Sequence, residues 1–142
     1  MILLDTTILV YAVGAEHPAR DPSRRLVEAI AGGGIAATTT VEVIQEFLHV
    51  YARRRPRATA LAHARSYATG LAPLLAAGPS ELEHGLRLFE RNDRLGAFDA
   101  VLAATALAHG VEALVSADRW FASVPRLRHV EPGSADFERL LA

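Results

Sequence analysis

"MILLDTTILVYAV", residues 1–13, changes character at a single carboxylate. Met1 to Leu4 is an unbroken apolar run of strand length, as expected of a strand buried on both faces. Asp5 closes that run, and a helix is expected to follow through about Val13. A buried strand that hands over to a helix with an acid at the joint is the first half of a βαβ unit. "VEALVSAD", residues 111–118, repeats the pattern with a second buried strand that runs out at an acid. "IAATT", residues 35–39, reads as another strand, and "LRHVEP", residues 127–132, as a weak edge strand. "LAPLLAAG", residues 71–78, reads as a short third strand or an extended segment.

Helical segments fill the intervals. One opens at Pro22 and Ser23 and closes at the Gly32 to Gly34 run, which lacks both a GxGxxG frame and a lysine and so reads as a C-cap and turn rather than a phosphate cradle. Thr40 is placed to cap "VEVIQEFLHVYARR", which Pro56 stops. A further helix spans about Ala58 to Gly70, and "PSELEHGLRLFERN" carries acids in its first turn and Arg in its last. "FDAVLAATAL", residues 98–107, is nearly all apolar with Asp99 at its head. Strands alternating with helices predict an α/β fold, a central mainly parallel sheet between two helical layers. No repeat, low-complexity tract or linker interrupts residues 1–142, which read as one domain.

Composition narrows the chemistry. Cysteine is absent, so disulfides and thiolate zinc sites are excluded, and all 15 basic residues are Arg, which removes Schiff-base chemistry and any phosphate loop ending in GK[ST]. The formal net charge of −1 supplies no global field for a polyanion, so contact with nucleic acid has to use a local patch. No apolar run reaches the length of a membrane span, and Asp5 comes too early for a signal peptide. A soluble, cytoplasmic protein is expected.

The acids are the informative part. Asp5 ends the first strand, Glu46 lies in the helix after the second, Asp99 heads an apolar helix and Asp118 follows "EALVS". Ligands of open α/β sheets bind outside the carboxyl ends of the strands, where these acids are placed to meet. Glu42 and Glu46 are four apart and share a helix face; Ser116 and Asp118 are two apart and leave an extended strand on one side. Carboxylates forced together repel unless a cation neutralises them. Oxygen-only ligation without Cys or paired His favours Mg²⁺ or Mn²⁺ over Zn²⁺, and such an ion typically handles phosphate.

Each acid has a plainer alternative: Asp5 a turn residue, Asp99 a helix cap, Asp118 an Asx-turn acid. Tyr51 to Arg57, "YARRRPR", reads as a solvated helix end in preference to an RNA-facing patch, and Trp120 with Phe121 as core anchors of a loop in preference to a base-stacking pair. The apolar stripes of "VIQEFLHVYA" and "HARSYA" fit either core or a dimer surface. A DxD phosphatase is disfavoured because Thr7 stands where its second acid belongs. A receiver domain is disfavoured because the chain has no lysine.

"ILLDTTILVYA", "TTTVEVIQEFLHV", "LGAFDAVLAATALAHG" and "LVSADRWF" together resemble, in order and spacing, the four signature blocks of PIN-domain ribonucleases, in particular VapC toxins of bacterial toxin–antitoxin pairs. The resemblance covers essentially the whole chain. It implies a three-layer α/β/α PIN-like domain and an endoribonuclease whose acidic site is Asp5, Glu46, Asp99 and Asp118, holding Mg²⁺ or Mn²⁺. Thr6 and Ser116 become hydroxyl neighbours, with Ser116 where family members often carry Thr; Glu42 is a possible additional acid, with Glu46 the better match. It further implies an RNA substrate cut to 5′-phosphate and 3′-hydroxyl ends, a cognate VapB-like antitoxin that blocks the cleft, and a homodimer. The alternative is a catalytically inactive PIN-like module that binds RNA or protein, whose expected mark is a missing acid. None of the four is missing.

Overall fold

The computed structural model describes residues 1–142. Four short strands, β1 (Ile2–Leu4), β2 (Ala37–Thr38), β3 (Leu114–Val115) and β4 (His129–Val130), pair in the order β2-β1-β3-β4. All three pairings are parallel, with Leu3 opposite both Thr38 and Leu114, and Val115 opposite Val130. Seven helices flank the sheet: α1 (Thr6–Ala12), α2 (Arg20–Ala31), α3 (Val41–Ala52), α4 (Arg57–Gly70), α5 (Pro79–Arg91), α6 (Ala97–Ala108) and α7 (Ala135–Leu141). The chain moves from β1 sideways to β2, then returns past β1 to β3. Right-handed crossovers therefore put the two sets of helices on opposite faces, giving the expected α/β/α layering. That reversal also makes the gap between the carboxyl ends of β1 and β3 the topological switch point.

β1 and β3 are buried along their whole length, which is why they read as continuous apolar runs. One core joins both faces: Phe47 of α3, Phe121 and Phe137 are fully buried with Ile2, Leu3, Leu4 and Leu114. Each such side chain removed from water contributes about 2–3 kcal/mol. The stripes of α3 and α4 are core: Val43, Phe47 and Tyr51 meet Ala60, Ala64 and Tyr67, and the Tyr67 hydroxyl donates to the Leu9 carbonyl at 2.8 Å. α5 and α6 pack closely at Gly85, where an added Cβ would stand 2.8 Å from Val101 Cα.

One local expectation is corrected and two open alternatives are decided. α2 begins at Arg20, so Pro22 occupies its first turn rather than its start; N–H groups there have no intrahelical partner, and proline loses nothing. Residues 71–78 form no strand of the sheet. Only Leu75 bridges, donating to the Thr39 carbonyl at 2.9 Å and accepting from the Val41 N–H at 2.8 Å, and Pro73 has no N–H with which to extend a ladder. The residue that caps α6 is Gly96, leaving Asp99 at the third helical position. The glycine turn after α2 is as expected, with Gly33 at φ 77°. No helix is long and apolar enough to cross a membrane.

Candidate functional site

Asp5 stands where β1 becomes α1, at the switch point, and is 3% exposed. It serves as the N-cap of α1, its Oδ2 accepting from the Thr7 N–H at 3.4 Å. That same oxygen takes the Thr7 hydroxyl at 2.8 Å and the Ser116 hydroxyl, arriving from the end of β3, at 2.6 Å. The turn residue and the candidate site residue are therefore one. Burial pushes the Asp5 carboxyl up from its ordinary range, and the Ser116 and Thr7 donors pull it part of the way back.

Thr7 is the residue that sequence reasoning missed. Its hydroxyl oxygen accepts from the Ala117 N–H at 3.0 Å and lies 3.3 Å from Ser116 Oγ, so it ties the start of α1 to the segment after β3. The available signal was its place two residues beyond an acid at a strand end, where a first-turn hydroxyl folds back on the cap. Ser116, fully buried, also accepts from the Asp118 N–H at 2.9 Å, and its carbonyl lies 2.8 Å from His129 Nε2 on β4. Thr6 donates to Glu46 Oε2 at 2.9 Å and so holds the α3 carboxylate toward the same end of the sheet.

Asp118 is an Asx-turn acid as well, because its Oδ1 accepts from the Trp120 N–H at 3.0 Å and opens the 3₁₀ turn Arg119–Ser123. Asp99, on the first turn of α6, is the electrostatic focus. Its carboxyl is pushed up to about 8 by burial first, then by the negative charge of Asp5 and by Asp118, whose carboxylate accepts a hydrogen bond only from protonated Asp99; Glu46 adds to the same effect. The structure thus brings Asp5, Glu46, Asp99 and Asp118 within each other's field from four segments. None of the four is paired with an Arg or His.

Glu42 does something else. Its Oε1 accepts from the Ala77 N–H, pinning the extended segment 71–78 against α3, so the second acid of that helix is a brace. The aromatic pair after Asp118 divides: Phe121 is fully buried as expected, whereas Trp120 is 37% exposed with the Arg94 guanidinium carbon 4.7 Å from its ring centre. Arg53, Arg54 and Arg55 are exposed and unpaired just past the C-terminal end of α3, seven to nine residues beyond Glu46 and so about 10–14 Å along the axis from it. A solvated helix end describes them.

A cleft of about 410 Å³ opens beside the acids between α3, α5 and α6, with Glu46 and Asp99 in its lining and Leu82, Leu86, Phe89 and Phe98 on its walls. Those four apolar side chains are 49%, 52%, 50% and 76% exposed.

For a divalent cation the donor chemistry fits: four hard carboxylates and buried hydroxyls, with uncompensated mutual repulsion and no thiolate or histidine among them. No three of the chain's Asp, Glu and His side chains stand close enough to form a coordination set as they are. The reason is visible in their partners, since Asp5 is turned to Ser116 and Thr7, Glu46 to Thr6 and Asp118 to the Trp120 amide.

The PIN domain family model matches residues 2–127. Ribonuclease VapC7 of Mycobacterium tuberculosis is 53% identical over 145 residues, covering 99% of this chain and 98% of that protein. Among solved structures, VapBC2 from Rickettsia felis, bound to a DNA fragment of its promoter, superposes with a TM-score of 0.72 at 20% identity over 92% of this chain and 98% of that one. VapC20 of M. tuberculosis, a toxin that cleaves the sarcin-ricin loop, does so with a TM-score of 0.71 at 17% identity over 87% and 94%. These two share the fold.

Proposed function

From the premise that this chain belongs to the PIN-domain family and to its VapC ribonucleases, we propose that it is the toxin of a toxin–antitoxin pair, a metal-dependent endoribonuclease acting in the cytoplasm. The observation that carries this is the meeting of Asp5, Glu46, Asp99 and Asp118 at the switch point with no cationic side chain among them. An inactive PIN-like module would have no use for four carboxylates whose repulsion opposes folding.

Asp5, Glu46 and Asp99 would hold one Mg²⁺ or Mn²⁺, with Asp118 completing the site through water or at a second ion. The cation supplies charge neutralisation at the phosphoryl oxygens and a more acidic water. The protein does the rest. Ser116 and Thr7 fix one oxygen of Asp5, and Thr6 aims Glu46. Burial and the uncompensated charge of its neighbours hold a proton on Asp99, which would have to leave for Asp99 to serve as a ligand. A carboxylate of the cluster accepts the proton of a water that attacks phosphorus in line. The bond to the 3′ oxygen breaks, that oxygen takes a proton from solvent water, and a 5′-phosphate and a 3′-hydroxyl remain.

Residues 1–142 act as one nuclease domain, in keeping with a single core that joins both faces of the sheet. A cognate VapB-like antitoxin blocks the site with a basic side chain, and the exposed apolar walls beside Glu46 and Asp99 suit such a protein partner. The toxin itself is a homodimer. The test is cleavage of total RNA with end mapping. Cuts with 5′-phosphate ends are expected, abolished by EDTA and restored by Mn²⁺ or Mg²⁺ but not by Zn²⁺. Undiminished cleavage after exhaustive dialysis against EDTA overturns the metal-dependent step.

A further inference from the structure

Arg94 is a cation without an anionic partner, and it rests on an aromatic face. It leaves the loop between α5 and α6, its guanidinium carbon 4.7 Å from the centre of the Trp120 ring, and no carboxylate pairs with it. The turn after Asp118 needs one aromatic anchor and has it in Phe121, which is fully buried; Trp120 beside it stays 37% exposed. Anchoring does not explain an exposed indole with a charge laid across it.

The pair is tied to the acids from both sides. The Trp120 backbone N–H donates to Asp118 Oδ1 at 3.0 Å, and Gly96, two residues past Arg94, caps the helix whose first turn carries Asp99. Asn92 Nδ2 donates to Ser123 Oγ at 2.6 Å and Ser123 Oγ donates to the Trp120 carbonyl at 2.5 Å, so the α5–α6 loop and the 3₁₀ turn are stapled together. The loop that carries Arg94 and the turn that carries Trp120 are thus fixed to each other, on the two segments that also carry Asp99 and Asp118.

A cation at the acids offsets their charge only locally, and the protein's net charge of −1 offers no wider field for a polyanion. Positive charge is needed locally, next to the acids. Unstacked RNA bases seek aromatic faces and guanidinium planes, and an Arg stacked on Trp keeps both its charge and its planar donors in a fixed place. We propose that Arg94 and Trp120 are the substrate rest of this site: a nucleotide of single-stranded RNA flanking the scissile bond stacks on the pair while Arg94 contacts an adjacent phosphate. This rests on the ribonuclease assignment above and describes how that same site grips its substrate.

Trp120 is the only tryptophan in the chain, so its emission reports on this position alone. In a stopped-flow cell with Mg²⁺, the intact protein is mixed with a single-stranded oligoribonucleotide spanning a mapped cleavage site, and emission is followed ahead of cleavage. Saturable quenching is expected on binding. Base stacking is worth about 1–3 kcal/mol, so Trp120→Leu should raise KM by about 5- to 150-fold with kcat held within a few-fold, and Trp120→Phe should recover most of the loss. Arg94→Gln should raise KM and lower the salt dependence of binding by about one phosphate contact, while Arg94→Lys restores the salt slope without restoring KM. Unchanged emission while the RNA binds and is cut, or parental KM in well-folded Trp120→Leu and Arg94→Gln, overturns the proposal and leaves the ribonuclease assignment standing. Absence of both binding and cleavage in the parent overturns the two together.

Discussion

Asp99→Asn tests the acid cluster without any RNA present. Two opposed effects act on this side chain. At the third position of α6 a carboxylate is favoured by the helix dipole, by about 0.5 kcal/mol. Burial and the negative charge of Asp5, Asp118 and Glu46 work the other way, moving its proton affinity from an ordinary 3.8 up to about 8. Some four units at about 1.4 kcal/mol each set an upper bound near 6 kcal/mol. The side chain is only half-buried, so screening by water and salt brings the expected effect to about 2–3 kcal/mol, still several times the dipole gain. Repulsion wins. Because the folded value lies above the unfolded one, the native state holds more protons between about pH 4 and pH 8, and the metal-free protein loses stability as pH rises through that window. Asn cannot ionise. Parent and variant should therefore melt together near pH 4, and the variant should melt about 6–10 °C higher at pH 8–9 in EDTA. Adding Mn²⁺ at a hundred times its Kd should stabilise the parent by about 2.7 kcal/mol and the variant by much less. Circular-dichroism melts from pH 4 to 9, with EDTA and then with Mn²⁺, read all of this. A variant that tracks the parent across the pH range, or gains the same Mn²⁺ shift, would show Asp99 to be neither crowded nor a ligand.

The two acids of α3 should separate cleanly in cleavage assays. Glu46→Gln is expected to lower the cleavage rate by about two orders of magnitude or more, whereas Glu42→Gln, which still offers an amide oxygen to the Ala77 N–H, should stay within a few-fold of the parent; equal losses would refute the brace assigned to Glu42. Gly85→Ala should destabilise the fold by about 1–3 kcal/mol in urea titration, since its Cβ would meet Val101 backbone at 2.8 Å, and an unchanged midpoint would mean that α5 and α6 are free to move apart.

Strand and helix identities, the acids at the ends of β1 and β3, and the cap at Thr40 were legible along the chain, because each depends on periodicity or on side chains a few residues apart. The parallel α/β architecture followed from their alternation, and membership of the PIN family from four blocks in one order. The work Glu42 does was not readable, for its partner Ala77 lies 35 residues away. Residues 71–78 read equally well as strand or extended chain, and only their neighbours left them with a single bridge at Leu75. Trp120 and Phe121 look alike in sequence; packing sent one into the core and left the other under Arg94. Thr7 acquires its meaning only when Ser116, 109 positions on, comes beside it, and Asp99 its high proton affinity only when three other carboxylates arrive from separate segments. Local order is written in nearest-neighbour stereochemistry, while burial and Coulomb energy depend on distances through space, which the chain acquires only when the sheet closes β1 against β3.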